Sequence, residues 1–421
     1  MNKQIKIIFT VFLFGIIFQT HAQELLIFQV DAGAFDRIDC PVSLNISPSE
    51  LNINNKDIQI IEYFNDSKKL IPSQLDDENK QLWFILDGFT SKHRIREFAI
   101  IRKNKKNKSP QIEILKKDGG LQFLFKDNPI LNYQYEIILP PTGIDEKYKK
   151  SGFIHPVWSP GGEVLTRIQA PDHYHHYGIW GPWTRTHIGD RQVDFWNLGD
   201  GQGTVLFKRF INETQGDIYS GFTALQEHID FGAPVENKVA INEELEIKIW
   251  NLRSLNNSWM IDYTSTIESP LETGILFDAY RYGGGIGFRA TEKWHKDNCT
   301  VITSENKDRL SADGSSAKWV IIEGVSKTEE GRSGILFMGL PTNREFPEPM
   351  RVWPINSNGG RGDMFFEFCP IRHKEWKIES QKEYSLNYRM LIFDGILTAE
   401  EAEIYWQGFA DPPKIIIKSN P

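Results

Sequence analysis

The feature that most restricts the fold of this chain is a two-residue alternation of apolar and polar side chains that recurs along most of its length. Leu245, Ile247 and Ile249 interleave with Glu244, Glu246 and Lys248, and Trp259, Ile261, Tyr263 and Ser265 interleave with Asp262, Thr264 and Thr266. Successive side chains of a strand point to opposite faces, so this period describes strands with one buried face. Leu82 to Leu86 and Trp319 to Ile322 are unbroken apolar runs and read as strands buried on both faces. Asp87-Gly88, Asp118-Gly119-Gly120, Asn358-Gly359-Gly360 and Asp394-Gly395 carry the residues that turns require and are read as separating such runs. The pattern predicts an all-β, antiparallel protein. One helix is expected, where Thr398-Ala399-Glu400-Glu401 forms a capping box. It should run to about Trp406, stop near Gly408, and cover a sheet edge or a barrel mouth.

The first 22 residues read as a cleavable export signal. Lys3 and Lys6 precede an apolar run from Ile7 to Phe18, and Thr20 and Ala22 supply small residues at the cleavage point. The run is short for a membrane span, and no later apolar run is long enough to insert stably. An exported chain, periplasmic or secreted, is therefore expected. Cleavage removes two lysines and no acid, so the formal net charge moves from −8 to −10. That balance argues against a nucleic-acid partner, which is held by phosphate neutralisation. The basic cluster Lys103, Lys105, Lys106 and Lys108 reads as a solvated turn or linker. Cys40, Cys299 and Cys369 are too few for a disulfide framework and leave at most one bridge.

The expected organisation is a signal at 1–22, an N-terminal β-sandwich at 23–110 with about seven short strands, and a large β-sandwich at 111–421. Every motif with chemical content falls in the last part. Asp172-His173-Tyr174-His175-His176-Tyr177-Gly178-Ile179-Trp180 places three of the ten histidines within four positions. Imidazole titrates near neutrality and ligates metals, so the cluster suits proton transfer or metal binding. On a regular strand His173, His175 and Tyr177 share one face, and His176 turns away with Asp172 and Tyr174. Trp180, Trp183 and Trp196 follow within seventeen residues. Their rings either stack on sugar faces or pack a core, Trp180 being the best placed for a cleft. Asp194, beside Phe195 and Trp196, either serves chemistry or faces solvent. His155 stands in a turn-rich approach and is either a fourth site histidine or a plain loop residue. Arg281 to Arg289 is glycine-rich without the ending of a phosphate loop. It reads as a bulged strand or a close approach to ligand, with Tyr282 and Arg289 able to hold an anionic group. Glu367, within Phe365-Phe366-Glu367-Phe368, shares a face with Phe365 and is a candidate acid or base. Asp363 is a weaker one.

Phe153-Ile154-His155-Pro156, Ser159-Pro160-Gly161-Gly162-Glu163, the histidine motif, Asp194-Phe195-Trp196 and Tyr282-Gly283-Gly284 to Phe288-Arg289 together resemble the PmoA-like family of exported, functionally uncharacterised bacterial proteins, over roughly residues 120–412. Tyr177 stands where that family commonly has arginine. The resemblance implies a galactose-mutarotase-like supersandwich and a place in polysaccharide degradation. Three functions follow as expectations. The first is an exported carbohydrate-active enzyme working on a glycan or oligosaccharide by proton transfer, as a lyase, epimerase or glycoside hydrolase, without a cofactor. In it His173, His175, His176, Asp194 and Glu367 would be catalytic, and His155, Tyr177, Trp180, Trp196, Tyr282 and Arg289 would bind substrate. The second is a non-catalytic sugar-binding protein of the same system. The third is a cupin-like enzyme with a divalent metal on His173 and His175, completed by Asp194 or Glu367.

Overall fold

The computed structural model describes residues 24–46, 58–64, 67–76, 78–102, 111–235, 238–252 and 258–419. The export signal and the lysine cluster at 103–108 lie outside the described residues. Among these residues, most strands belong to two large antiparallel sheets. One has nine strands in the order Ser316–Ala317, Glu348–Val352, Phe365–Phe368, Gly287–Arg289, Ile179–Trp180, Phe153–Val157, Asn128–Gln134, Gly120–Phe125 and Ile112–Lys117. The other has eight, in the order Gly203–Gln215, Tyr219–Asp230, Val239–Trp250, Ser258–Glu268, Tyr384–Asp394, Arg332–Gly339, Trp319–Val325 and Cys299–Thr303. The expected alternation sets the layering. Leu245, Ile247 and Ile249 are buried in the common core with Ile261 and Tyr263, and the polar residues between them stay at least partly solvated. From the nine-stranded side Phe123, Ile154, Ile179, Phe288 and Phe366 enter the same core. The fold is the predicted β-sandwich.

Seven strands lie between residues 24 and 102 among the described residues, in a five-stranded and a three-stranded sheet around Phe28, Val42, Phe84 and Phe98. The five-stranded sheet is completed from the far end of the chain, by Lys414–Ser419 paired antiparallel with Glu24–Asp31. The expected organisation assigned that segment to the large sandwich. Asp87-Gly88 is not a turn either. Gly88, at φ +71°, is a bulge inside the strand Gln81–Thr90, and its N–H donates to Asp39 Oδ1 at 2.7 Å.

The helix Ala399–Ala410 starts with the predicted box. The Glu401 N–H donates to Thr398 Oγ1 at 3.2 Å, and the Thr398 N–H donates to Glu401 Oε2 at 2.9 Å. It covers a sheet face rather than an edge. Ala402, Tyr405 and Trp406 pack with Met260, Trp319, Leu336 and Met338 of the eight-stranded sheet, in a layer that also takes in Ile85 of the N-terminal unit. Gly408 does not end the helix. A Cβ there would lie 3.2 Å from Cys40 Sγ, so the glycine lets the helix approach the strand Arg37–Asn45. All three cysteines are buried and unbridged.

Candidate functional site

The outer face of the nine-stranded sheet carries the site, placed there by alternation. Where Ile154, Ile179, Val352 and Phe366 point into the core, Phe153, Trp180, Trp353 and Phe365 point out and form a separate aromatic cluster with Tyr177, Trp196 and Leu198. Over this face runs a short hairpin of Ile168–Ala170 and His173–Tyr177. Gly178, at φ +65°, then carries the chain into the sheet. A side chain there would meet the Ile154 carbonyl oxygen at 2.3 Å.

The three histidines converge. Their ring centroids are 5.3 Å apart for His173 and His175, 4.7 Å for His173 and His176, and 4.8 Å for His175 and His176. This corrects the expectation that His176 turns away. The hairpin register shifts between Ile168 and Ala170, with Gln169 at φ +46°, so the strand is not regular there. Bulges of this kind add twist and re-aim side chains. His176 packs against Trp196, Trp353 and Phe365. A cavity of about 220 Å³ opens over the cluster, lined by His173, His175, His176, Trp196, Asn197, Tyr280, Arg281, Tyr282 and Trp353.

A chain of charged groups fixes one of these rings. His173 Nδ1 lies 2.9 Å from Asp172 Oδ2, Arg289 Nη2 donates to the same oxygen at 2.8 Å, and Arg289 Nη2 also donates to Asp363 Oδ2 at 3.1 Å. Burial alone would raise the Asp172 carboxyl, but the bond to His173 and the guanidinium outweigh it and hold the acid well below its usual range. With Nδ1 engaged, Nε2 of His173 has no hydrogen-bond partner among the described residues. His175 is pushed down to about 3, chiefly by burial and further by the charges of His173 and Arg289. His176, fully enclosed, is lowered well below its ordinary value for the same leading reason. Both rings are therefore neutral near pH 7. Neither makes a side-chain hydrogen bond among the described residues, and Nδ1 of His176 is buried without a partner.

The other predicted residues divide. Trp196 and Tyr282 line the cavity. Trp180 does not; it is 3 % exposed and packs behind His176. Tyr177 is buried against Phe153, and its hydroxyl bonds to the Tyr148 carbonyl and to Gln169. Arg289 is 1 % exposed and outside the cavity wall; its Nη2 pairs with Asp172 and Asp363 and braces the site, while Nε and Nη1 are buried without a partner among the described residues. Asp194 accepts from the N–H groups of Trp196 and Asn197, from Thr184 Oγ1 and from Asn197 Nδ2. Those four bonds clamp a loop and keep Asp194 out of the cavity wall. Glu367 shares the outward face with Phe365 but lies beneath the glycine loop, where Oε1 accepts from the Gly283 N–H at 2.5 Å. Burial raises its carboxyl well above the usual range. His155 bonds to Thr166 and lines a different depression with Asn132 and Trp158. Asp363 anchors Arg289 and Arg361.

Asp172, Asn197, Tyr280, Arg281 and Trp353 were not singled out from the sequence. Asp172 and Arg281 sat inside quoted motifs with nothing to set them apart. Trp353 is a lone tryptophan that strand pairing brings in, with its indole against both His173 and the Arg289 guanidinium. The three consecutive glycines are a turn and not a phosphate cradle. Gly283, Gly284 and Gly285 all have positive φ, and a Cβ on Gly284 would overlap the Trp183 ring at 2.1 Å.

No curated protein matches the chain. Among solved structures, a glycosyl hydrolase family 38 protein from Enterococcus faecalis aligns at 10 % identity and TM-score 0.41, over 95 % of this chain and 49 % of that one. Heparan sulfate lyase HepC from Pedobacter heparinus, as a mutant, aligns at 8 % identity and TM-score 0.35, over 70 % and 38 %. An alpha-galactosidase from Lactobacillus brevis aligns at 9 % identity and TM-score 0.29, over 69 % and 40 %. The chain thus spans about half or less of the proteins it matches, and none of these likenesses bears on the chemistry of the histidine cavity. The profile of DUF6807, a family of unknown function, matches residues 120–407, a stretch that holds the eight-stranded sheet, all of the nine-stranded sheet but its edge strand Ile112–Lys117, and the whole cavity wall, and the chain belongs to that family.

Proposed function

We propose that the protein is an exported carbohydrate-active enzyme that takes one sugar residue of a glycan or oligosaccharide into the histidine cavity. The observation that carries this reading is the make-up of the cavity wall. Asn197, Arg281 and the imidazoles offer polar contacts, and Tyr280, Tyr282 and Trp353 offer aromatic ones. A hydroxylated ring needs both kinds of contact from one wall. A volume of about 220 Å³ lies below the roughly 300–1,000 Å³ of sites for larger ligands, which suits a single ring at a chain end or branch. The resemblance to exported, polysaccharide-associated proteins agrees with this substrate class.

The reaction class narrows as well. Hydrolysis by paired carboxylates needs two acids flanking the bond, roughly 5–9.5 Å apart. The described wall of the cavity holds no carboxylate. Elimination or epimerisation needs only a group able to take a proton from carbon, and the wall presents imidazole nitrogens and the tyrosines Tyr280 and Tyr282. Turnover of an oligosaccharide panel that includes uronate-containing substrates tests the reading. His175→Ala should lower turnover at least 100-fold, and Arg281→Ala should raise KM more than it lowers kcat. Unchanged turnover in both His173→Ala and His175→Ala would remove the cavity from the mechanism.

A further inference from the structure

We propose that His173, His175 and His176 together bind one divalent first-row transition ion of the zinc class, with one coordination position open to the cavity. One ligand nitrogen from each residue lies within 4.8 Å of the others. Zinc–imidazole bonds of about 2.1 Å in a tetrahedral site place ligand nitrogens roughly 3.4 Å apart, so the longest separation has to close by roughly 1.4 Å, the scale of a small ring rotation. Three protein ligands with a free fourth position are the pattern of zinc sites that do chemistry, whereas structural sites close all four.

Three further observations point to an ion. The first is the unpartnered Nδ1 of His176, which is 1 % exposed. A buried nitrogen left without a partner is unfavourable, and an ion in the cluster would satisfy a ring that makes no side-chain hydrogen bond among the described residues. The second is the Asp172–His173 bond at 2.9 Å. A ligating histidine almost always gives its other nitrogen to a carboxylate or carbonyl, which fixes the ring and its tautomer. Arg289 and Asp363 extend that support. The positive charge of Arg289 opposes a cation, but it faces two carboxylates, Asp172 and Asp363, which offset it. The third is the donor set itself. Imidazole nitrogens select zinc, copper, nickel and iron over magnesium and calcium. Among the described residues no carboxylate completes the set: Asp194 and Glu367 are engaged elsewhere, and the third ligand is His176. When bound, such an ion would polarise a substrate oxygen or acidify a bound water, and that water would take the place of the imidazoles as the proton acceptor.

The inference rests on the glycan reading only for what the ion would act on, and its test needs no sugar. Untagged full-length protein is stripped with a chelator, dialysed and titrated calorimetrically with zinc chloride, then with magnesium chloride. The expected result is one zinc ion per chain with Kd in the micromolar range or tighter, and no magnesium binding. Asp172→Asn should weaken zinc binding about 10–100-fold, the usual scale for losing such a supporting group. His175→Ala should weaken it at least 100-fold. His175 is only half-buried, so this variant should keep its circular dichroism spectrum; His176→Ala, which opens the aromatic cluster, is the less clean change. Absence of saturable zinc binding, or equal affinity in His175→Ala, overturns the site. Zinc held by these histidines without glycan turnover would overturn only the substrate reading. Glycan turnover in a protein that binds no zinc would overturn only the metal.

Discussion

Glu348→Gln should stabilise this protein in a pH-dependent way whose size follows from the burial of one carboxyl. Glu348 is 1 % exposed, in the strand Glu348–Val352 beside the core of the large sandwich. Asn343 Nδ2 donates to its Oε1 at 2.7 Å and the Tyr388 hydroxyl to its Oε2 at 2.8 Å. Burial outweighs both bonds and raises the acid from 4.5 to about 7. Between those values the unfolded chain carries the ionised acid while the folded chain keeps it protonated. The folded state then binds the extra proton, so the contribution is complete below about pH 4.5 and is lost as the pH rises to about 7. A shift of that size is worth about 3 kcal/mol at 1.36 kcal/mol per pH unit. Glutamine keeps the shape and an acceptor for Asn343, and it does not titrate. The variant should therefore exceed the wild type by about 3 kcal/mol at pH 7.5, roughly 5 °C in melting temperature for a unit of about 300 residues. The margin should vanish near pH 4.5. Reading the difference between the two proteins cancels His155 and His175, whose lowered values act in the opposite direction at acidic pH. Lys150, lowered by burial to about 7, acts only above that pH. Scanning calorimetry of both proteins from pH 4.5 to 7.5 is the assay. A margin that is the same at both ends would refute the argument.

Arg289→Met should cost about 3–5 kcal/mol in chemical unfolding, because it strands the carboxylates of Asp172 and Asp363. Adding Asp172→Asn to Arg289→Met should then cost less than Asp172→Asn does alone. Gly284→Ala should abolish soluble folded protein or cost at least about 3 kcal/mol, since it combines φ +83° with a 2.1 Å overlap on Trp183; expression yield and melting temperature read this. Thr398→Ala removes the helix cap and should cost about 1 kcal/mol, seen as a small fall in melting temperature with zinc affinity unchanged.

The layers of the fold were legible because burial in a sheet writes itself directly into side-chain alternation. Leu245, Ile247 and Ile249 needed no other information, and Thr398 with Glu401 marked its helix through purely local hydrogen bonds. The histidine motif was visible for its density, but its geometry was not. Alternation separated His176 from its neighbours, and what reunites them is a bulge in the pairing, four steps from His173 to Tyr177 set against two from Ala170 to Ile168, which the pattern does not record. Trp353 reaches the cavity through pairings of Glu348–Val352 and Phe365–Phe368 that no local pattern records. Asp194 shows the converse. An acid among aromatic residues looks reactive in sequence, yet its oxygens are filled by the loop that follows it and by Thr184. Gly408 read as a stop, but its smallness serves a neighbour 368 positions away, Cys40.

The pairing of Lys414–Ser419 with Glu24–Asp31 also orders events in time. A ribosome delivers the first partner nearly four hundred residues before the second. Until then Glu24–Asp31 is a border strand with open hydrogen-bonding groups, the kind of surface that recruits other chains. The large sandwich and the helix Ala399–Ala410 both lie between the two partners, so they can form before the border is sealed. Long-range closure of this sort is slow to nucleate. The earlier strand is thus protected only when the later one arrives, and its exposure to aggregation ends with that pairing.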